Sequence, residues 1–119
     1  MARQDPGQAR DRAIVRVARA YVHDCCRAQT SAHVNELAAR VRLSRTQVTR
    51  AIKRETGRTA SHYLRYLRIV RACVLLRAGL TTQHVAYLAG FGTRASLFRV
   101  FKKETGMTPE QYRQQASHL

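Results

Sequence analysis

Residues 45–63 read RTQVTRAIKRETGRTASHY, and residues 94–112 read RASLFRVFKKETGMTPEQY. Laid over one another, they pair Arg45 with Arg94, Val48 with Leu97, Arg50 with Arg99, Ile52 with Phe101 and Lys53 with Lys102. Gly57 and Gly106, Thr59 and Thr108, and Tyr63 and Tyr112 also fall together. Each copy has apolar residues at helical spacing and ends on a glycine suited to the left-handed conformation that closes a helix. Upstream the match continues, LAARVRL (37–43) over VAYLAGF (85–91), if the second copy carries one extra residue in its turn. Each copy is therefore a short helix, a tight turn and a basic helix, which is a helix-turn-helix unit.

Outside the repeat the period stays helical. RAIVRVARAYVHDCC places Ile14, Val17, Ala18, Tyr21, Val22 and Cys25 three and four apart, predicting a first helix over about 10–28. VNELAARV predicts a short second helix, and Ser44 stands as the N-cap of the third. From Thr59 the chain runs to Gly79 without a breaker, and Tyr63, Leu64, Leu67, Val70, Val74 and Leu75 predict one amphipathic stripe. Thr81 or Thr82 would cap a fifth helix and Thr93 a sixth. Thr108, Pro109 and Gln111 supply an N-cap, a first-turn proline and a capping-box partner for a seventh. The expectation is an all-α chain of seven helices. It divides into a flexible N-terminus (1–9), a first helix-turn-helix subdomain (10–58), a linker helix (59–79) and a second subdomain (80–116).

Composition narrows the partner. Among 119 residues, 22 Lys plus Arg oppose 7 Asp plus Glu, a formal net charge of +15. Such a chain accumulates at polyanions, so nucleic acid or an anionic membrane leads the partner classes. No apolar span of 18 residues is present and the N-terminus lacks a signal peptide's apolar core, so a cytoplasmic protein is expected. Cys25, Cys26 and Cys73 are an odd count without disulfide or zinc spacing, and His23 and His33 beside them complete no metal pattern. No metal, cofactor or enzymatic activity is expected: the acids are scattered, no phosphate loop occurs and the histidines lack a nucleophile partner.

With Val48 and Ile52 inward, the helical period gathers Thr46, Thr49, Arg50 and Lys53 on the opposite face; in the second copy Ala95, Phe98, Arg99 and Lys102 take those positions. Arg45, and Arg94 with Ser96, stand near the helix starts. Arginine, threonine and serine at such positions put hydrogen-bonding groups on base edges, while lysines nearer the helix end meet phosphates. A basic face on a lone helix is ordinarily just a solvated face. Its recurrence with the same turn before it favours DNA reading, and Arg50 and Arg99 are the leading candidates for guanine contact. A linking helix of about 19 residues spans roughly 28 Å, near the ~34 Å between successive major-groove faces. A monomer with two unlike readers suits an asymmetric site.

The sequence closely resembles the AraC/XylS family of bacterial transcription regulators over about residues 12–115. The resemblance rests on ELAARVRLS (36–44), GRTASHYLRYLRIVRACVLL (57–76) and VAYLAGFGTRASLFRVFKKETGMTPEQYR (85–113). It implies two helix-turn-helix subdomains that bind promoter DNA in consecutive major grooves and recruit RNA polymerase, usually as an activator. By position it assigns base reading to Arg45, Thr46, Thr49, Arg50, Arg94, Ala95, Ser96, Phe98 and Arg99, and places Arg42, Lys53, Lys102 and Lys103 near phosphates. The chain resembles the short stand-alone members, or an excised C-terminal domain, since it carries no sensing domain. Three positions depart from the family pattern. Ala60 stands where proline is frequent, and Gly92 replaces a polar residue after Gly90-Phe91. Phe98 occupies a reading position that is commonly small or polar: exposed, it would touch a thymine methyl; tucked into the core, it would leave the helix fewer bases to read.

Two other readings compete. A sequence-indifferent architectural DNA binder accounts for the charge alone. A membrane-surface or adaptor module would use the first helix, where Arg12, Arg16 and Arg19 flank an apolar stripe.

Overall fold

Asp5 and Pro6 start the chain's first helix. Pro6 takes the first helical position, where its missing N–H costs nothing, and Asp5 Oδ1 accepts the Gly7 N–H at 3.2 Å. The computed structural model describes residues 5–117. Within them lie seven α-helices and no strand: α1 Pro6–Ala28, α2 Val34–Val41, α3 Arg45–Thr56, α4 Ala60–Arg77, α5 Thr82–Leu88, α6 Arg94–Thr105 and α7 Pro109–Ser117. Of the N-terminal segment expected at 1–9, residues 6–9 belong to α1, and residues 1–4 lie outside the described residues.

The other boundaries follow from caps in the same way. Ser44 and Gln47 form a full capping box, Ser44 Oγ accepting the Gln47 N–H at 3.1 Å and Gln47 Oε1 the Ser44 N–H at 2.9 Å. Thr81 rather than Thr82 caps α5, Thr93 caps α6, and Thr108 with Gln111 repeats the box at α7. Gly57 (φ 78°) and Gly106 (φ 78°) close α3 and α6 in the left-handed region that a Cβ disfavours.

The described residues divide into two compact units, residues 5–24 with 32–65, and residues 25–31 with 66–117. In the first, Leu37, Ala38, Val48, Ala51 and Ile52 are buried. Tyr21 sets α2 on α1: its hydroxyl donates to Glu36 Oε2 at 2.5 Å and accepts the His33 N–H at 2.8 Å. Arg40 lies 4.9 Å above the Tyr21 ring and bonds Asp24 at 3.0 Å. Asp11, buried on α1, receives Arg54 from α3 in two hydrogen bonds of 2.9 and 3.1 Å. That bond outweighs burial and holds the Asp11 carboxyl below the usual carboxylate range. The pair's contribution to stability is therefore complete above the ordinary carboxylate pKa and is lost as the pH falls through the lowered one.

The second unit's core gathers Ile69, Ala72, Leu76, Val85, Leu97 and Phe101, with Phe91 and Tyr112 partly buried against it. Tyr112 meets Phe101 edge-on, centroids 5.6 Å apart, and its hydroxyl accepts from Arg77 Nε at 2.6 Å. Arg71 Nε caps the end of α5 at the Leu88 carbonyl, 2.8 Å away, and Arg113 donates to the Leu80 carbonyl.

Helix α4 departs from the expected single stripe. Val70 and Val74 are exposed, 40% and 57%, whereas Ile69, Ala72 and Leu76 are buried. Ala60, Tyr63 and Leu64 serve the first unit and the later three the second. The step from Leu64 to Ile69 is five residues, a spacing that does not continue one helical stripe. The run IVRACVLL is apolar nearly all round and masks that step in the sequence.

Candidate nucleic-acid interface

Burial orients each repeated helix. On α3, Val48, Ala51 and Ile52 are buried, which turns Thr46, Arg50 and Lys53 to solvent with Thr49 half-buried among them. On α6, Leu97 and Phe101 are buried, and Ala95, Phe98, Arg99 and Lys102 are exposed. The structure thus brings the expected reading residues of each unit onto one exposed helical face. Arg45 and Arg94 open the two helices, both exposed, and Ser96 is half-buried, its N–H donating to the Thr93 cap at 3.1 Å. Lys103, beside Lys102, is exposed too.

Phe98 is 49% exposed, so it stays out of the core. With Thr82, Arg94, Ala95, Leu97, Pro109 and Glu110 it lines an open cleft of about 360 Å³. Two expected contacts carry a bond within the protein. Lys53 Nζ donates to the Gly57 carbonyl at 3.0 Å, satisfying the end of its own helix, and Arg45 Nη1 donates to Asn35 Oδ1 at 3.0 Å. Asn35, at the second position of α2, was not singled out from the sequence. The signal was present: Gln83, another amide, stands at the matching position of the second copy.

The turns carry the repeat's one irregularity. The Leu43 N–H donates to the Ala38 carbonyl at 3.0 Å and the Phe91 N–H to the Ala86 carbonyl at 2.8 Å, so these pairs correspond. From Leu43 the chain steps directly to the Ser44 cap, whereas from Phe91 it passes through Gly92 before the Thr93 cap. Gly92 is the extra residue, and at φ 80° it adopts a conformation that the polar residue common in the family would strain to take. The residue before Leu43, Arg42, is itself left-handed at φ 57° and exposed, where the second unit has Gly90 at φ 83°.

Other chemistry is thinly provided. Among the described residues no group of three or more His, Cys, Asp or Glu is placed to hold a metal ion, and no helix is long and apolar enough to cross a membrane. Cys25 and Cys26 are buried and Cys73 half-buried, all three as free thiols. Burial pushes the Cys26 thiol up, away from the reactive thiolate.

A helix-turn-helix domain model matches residues 37–115, which is well over half the chain and contains both α3 and α6. The chain belongs to the AraC/XylS family of transcription regulators. Among AraC/XylS relatives it is 44% identical over 64 residues to the HTH-type transcriptional activator RhaR of Cronobacter sakazakii, covering 53% of this chain and 23% of that protein. To the activator RhaS of Escherichia fergusonii it is 35% identical over 79 residues, 66% of this chain and 28% of that one. The chain thus spans about a quarter of the length of these relatives. Among solved AraC/XylS-type structures, the C-terminal domain of AraT, a response regulator from Geobacillus stearothermophilus, superposes with a TM-score of 0.73 at 30% identity, over 96% of this chain and 88% of that one. The DNA-binding domain of AdpA, a global transcriptional factor solved in complex with a target DNA, superposes at 0.72 with 26% identity, over 94% and 93%.

Proposed function

We propose that this chain is a sequence-specific regulator that binds promoter DNA in the bacterial cytoplasm, at the nucleoid, and activates transcription by recruiting RNA polymerase. It binds as a monomer, and α3 and α6 enter successive major grooves. Thr46, Thr49 and Arg50 read bases in the first, with Arg45 at its edge; Ala95, Phe98 and Arg99 read the second, with Arg94 and Ser96. Arg42, Lys53, Lys102 and Lys103 contact phosphates.

The observation that carries this reading is the pair of exposed helical faces, built on matching caps and cores yet furnished with different side chains. A module that only neutralised phosphate would have no use for Phe98 at the centre of one face. The activator role is supported by RhaR and RhaS, which are transcriptional activators, and DNA binding by AdpA, whose similar domain was solved on a target DNA.

Selection from random-sequence duplexes, followed by footprinting, tests it. The expected product is an asymmetric site of about two helical turns, one half contacted by each unit. Tight binding without enrichment of any sequence would overturn the reading in favour of an architectural binder. Salt dependence alone separates nothing, because phosphate neutralisation dominates both cases.

A further inference from the structure

In the first unit the start of α2 holds the start of α3. Asn35 Oδ1 accepts a hydrogen bond of 3.0 Å from Nη1 of Arg45, the first residue of α3, and both side chains are exposed. Gln83 and Arg94 occupy the corresponding places in the second unit, yet among the described residues no hydrogen bond joins them. The extra residue Gly92 sits between α5 and α6, and Arg94 lines the cleft beside Ala95 and Phe98 instead. An amide and an arginine thus stand at matching places in both units, Asn35 fastening Arg45 in one and Gln83 leaving Arg94 unfastened in the other.

We propose that Asn35 is a positioning residue for DNA reading: by holding the Arg45 guanidinium it makes the first unit select its opening base pair more sharply than the second unit selects the pair facing Arg94. This rests on α3 being a recognition helix, as proposed above. A guanidinium is a planar fork of five N–H donors, and the bond to Asn35 uses one of them. The remaining donors stay available for a base edge, and part of the long side chain's rotamer freedom is given up before DNA arrives. The neutrality of the amide matters. Asp11 and Asp24 hold Arg54 and Arg40 by cancelling their charge, whereas Asn35 orients Arg45 and leaves its charge to the DNA.

The test compares base-preference profiles of the wild-type chain with those of Asn35→Ala, Asn35→Asp and Arg45→Ala on a randomised duplex library. Arg45→Ala is expected to erase preference at one position of the first half-site. Asn35→Ala should reduce preference at that same position by roughly three- to tenfold, the ratio a net hydrogen bond supplies, and leave the second half-site unchanged. Asn35→Asp keeps the accepting oxygen, so it should retain the preference while its charge lowers affinity for all sequences alike. The proposal is overturned if the Asn35→Ala profile superposes on wild type, if the loss is uniform across sequences, or if Asn35→Asp loses the same preference as Asn35→Ala. A wild-type profile without any preference sinks the reading of α3 itself; a specific wild type whose profile ignores Arg45→Ala sinks only this inference.

Discussion

The two units are built on one plan and finished differently. Thr56 Oγ1 donates to the Ile52 carbonyl and Thr105 Oγ1 to the Phe101 carbonyl, both at 2.7 Å, and each threonine then accepts the N–H two residues on, from Arg58 and Met107. Each unit also has a tyrosine hydroxyl accepting from an arginine Nε, Tyr63 from Arg19 and Tyr112 from Arg77. The arginines around this shared plan diverge. Three of the first unit pair with carboxylates, Arg54 with Asp11, Arg40 with Asp24 and Arg12 with Glu55. In the second, Arg68, Arg71 and Arg113 bond backbone carbonyls. The fold therefore resides in caps and small cores that the copies share, and the DNA reading proposed above in the exposed positions where they part.

The hardest test of that separation removes one core at a time. Phe101 is fully buried, and Phe101→Ala is expected to cost about 3–5 kcal/mol; Ile52→Ala, its counterpart, about 2–5 kcal/mol. Residue-resolved amide hydrogen exchange should show Phe101→Ala lowering protection at Val85, Ala86 and Leu97 while Leu37, Ala38 and Val48 keep theirs, and Ile52→Ala doing the reverse. Equal loss in both units would mean a single cooperative structure.

The readers come next in size. Arg50→Ala and Arg99→Ala should each cost about 1–3 kcal/mol of specific binding and relax preference at one base position, each in its own half-site. Lys102→Ala should weaken binding to all sequences alike and shallow the salt dependence, as loss of a phosphate contact does. Competition titrations against single-base variants of the selected site measure both. If Arg99→Ala lowered affinity uniformly, α6 would hold backbone rather than read bases, and Phe98 would lose its assigned partner.

Much of this was legible in the sequence because caps and short amphipathic helices are local: Ser44, Thr93, Gly57, Gly106 and the box at Thr108 declare themselves within four residues. Three features were harder to see. The N-cap at Asp5 stood in a polar stretch with no apolar period beside it. On α4, Ile69, Ala72 and Leu76 were hidden because the run IVRACVLL is apolar nearly all round and offers no single stripe. Asn35 was passed over because its partner, Arg45, lies across a turn, and only the fold brings the two within 3.0 Å. The exposed faces of α3 and α6 were legible for the opposite reason, since exposure follows from helical period once the buried positions are known.

The smallest expected effect probes the turns, where the copies differ by a single backbone choice. Arg42 and Gly90 both take positive φ, but a side chain with Cβ is strained there by roughly 1–2 kcal/mol and glycine is not. Arg42→Gly relieves that strain and gives back part of it, because glycine has more freedom to lose on folding. The net expectation is a stabilisation of about 0.5–1 kcal/mol, read as a higher denaturant midpoint with an unchanged slope. The reverse change is not symmetric. A Cβ at Gly90 would lie 3.3 Å from Cys26 Sγ and 3.5 Å from Arg68 Nε, so Gly90→Ala adds crowding to strain and should cost more than Arg42→Gly returns. An arginine kept where glycine would be more stable points to a use for its charge. Arg42→Gly should therefore weaken DNA binding for all sequences while the protein itself becomes more stable, and a variant that gained stability without losing affinity would remove Arg42 from the phosphate contacts.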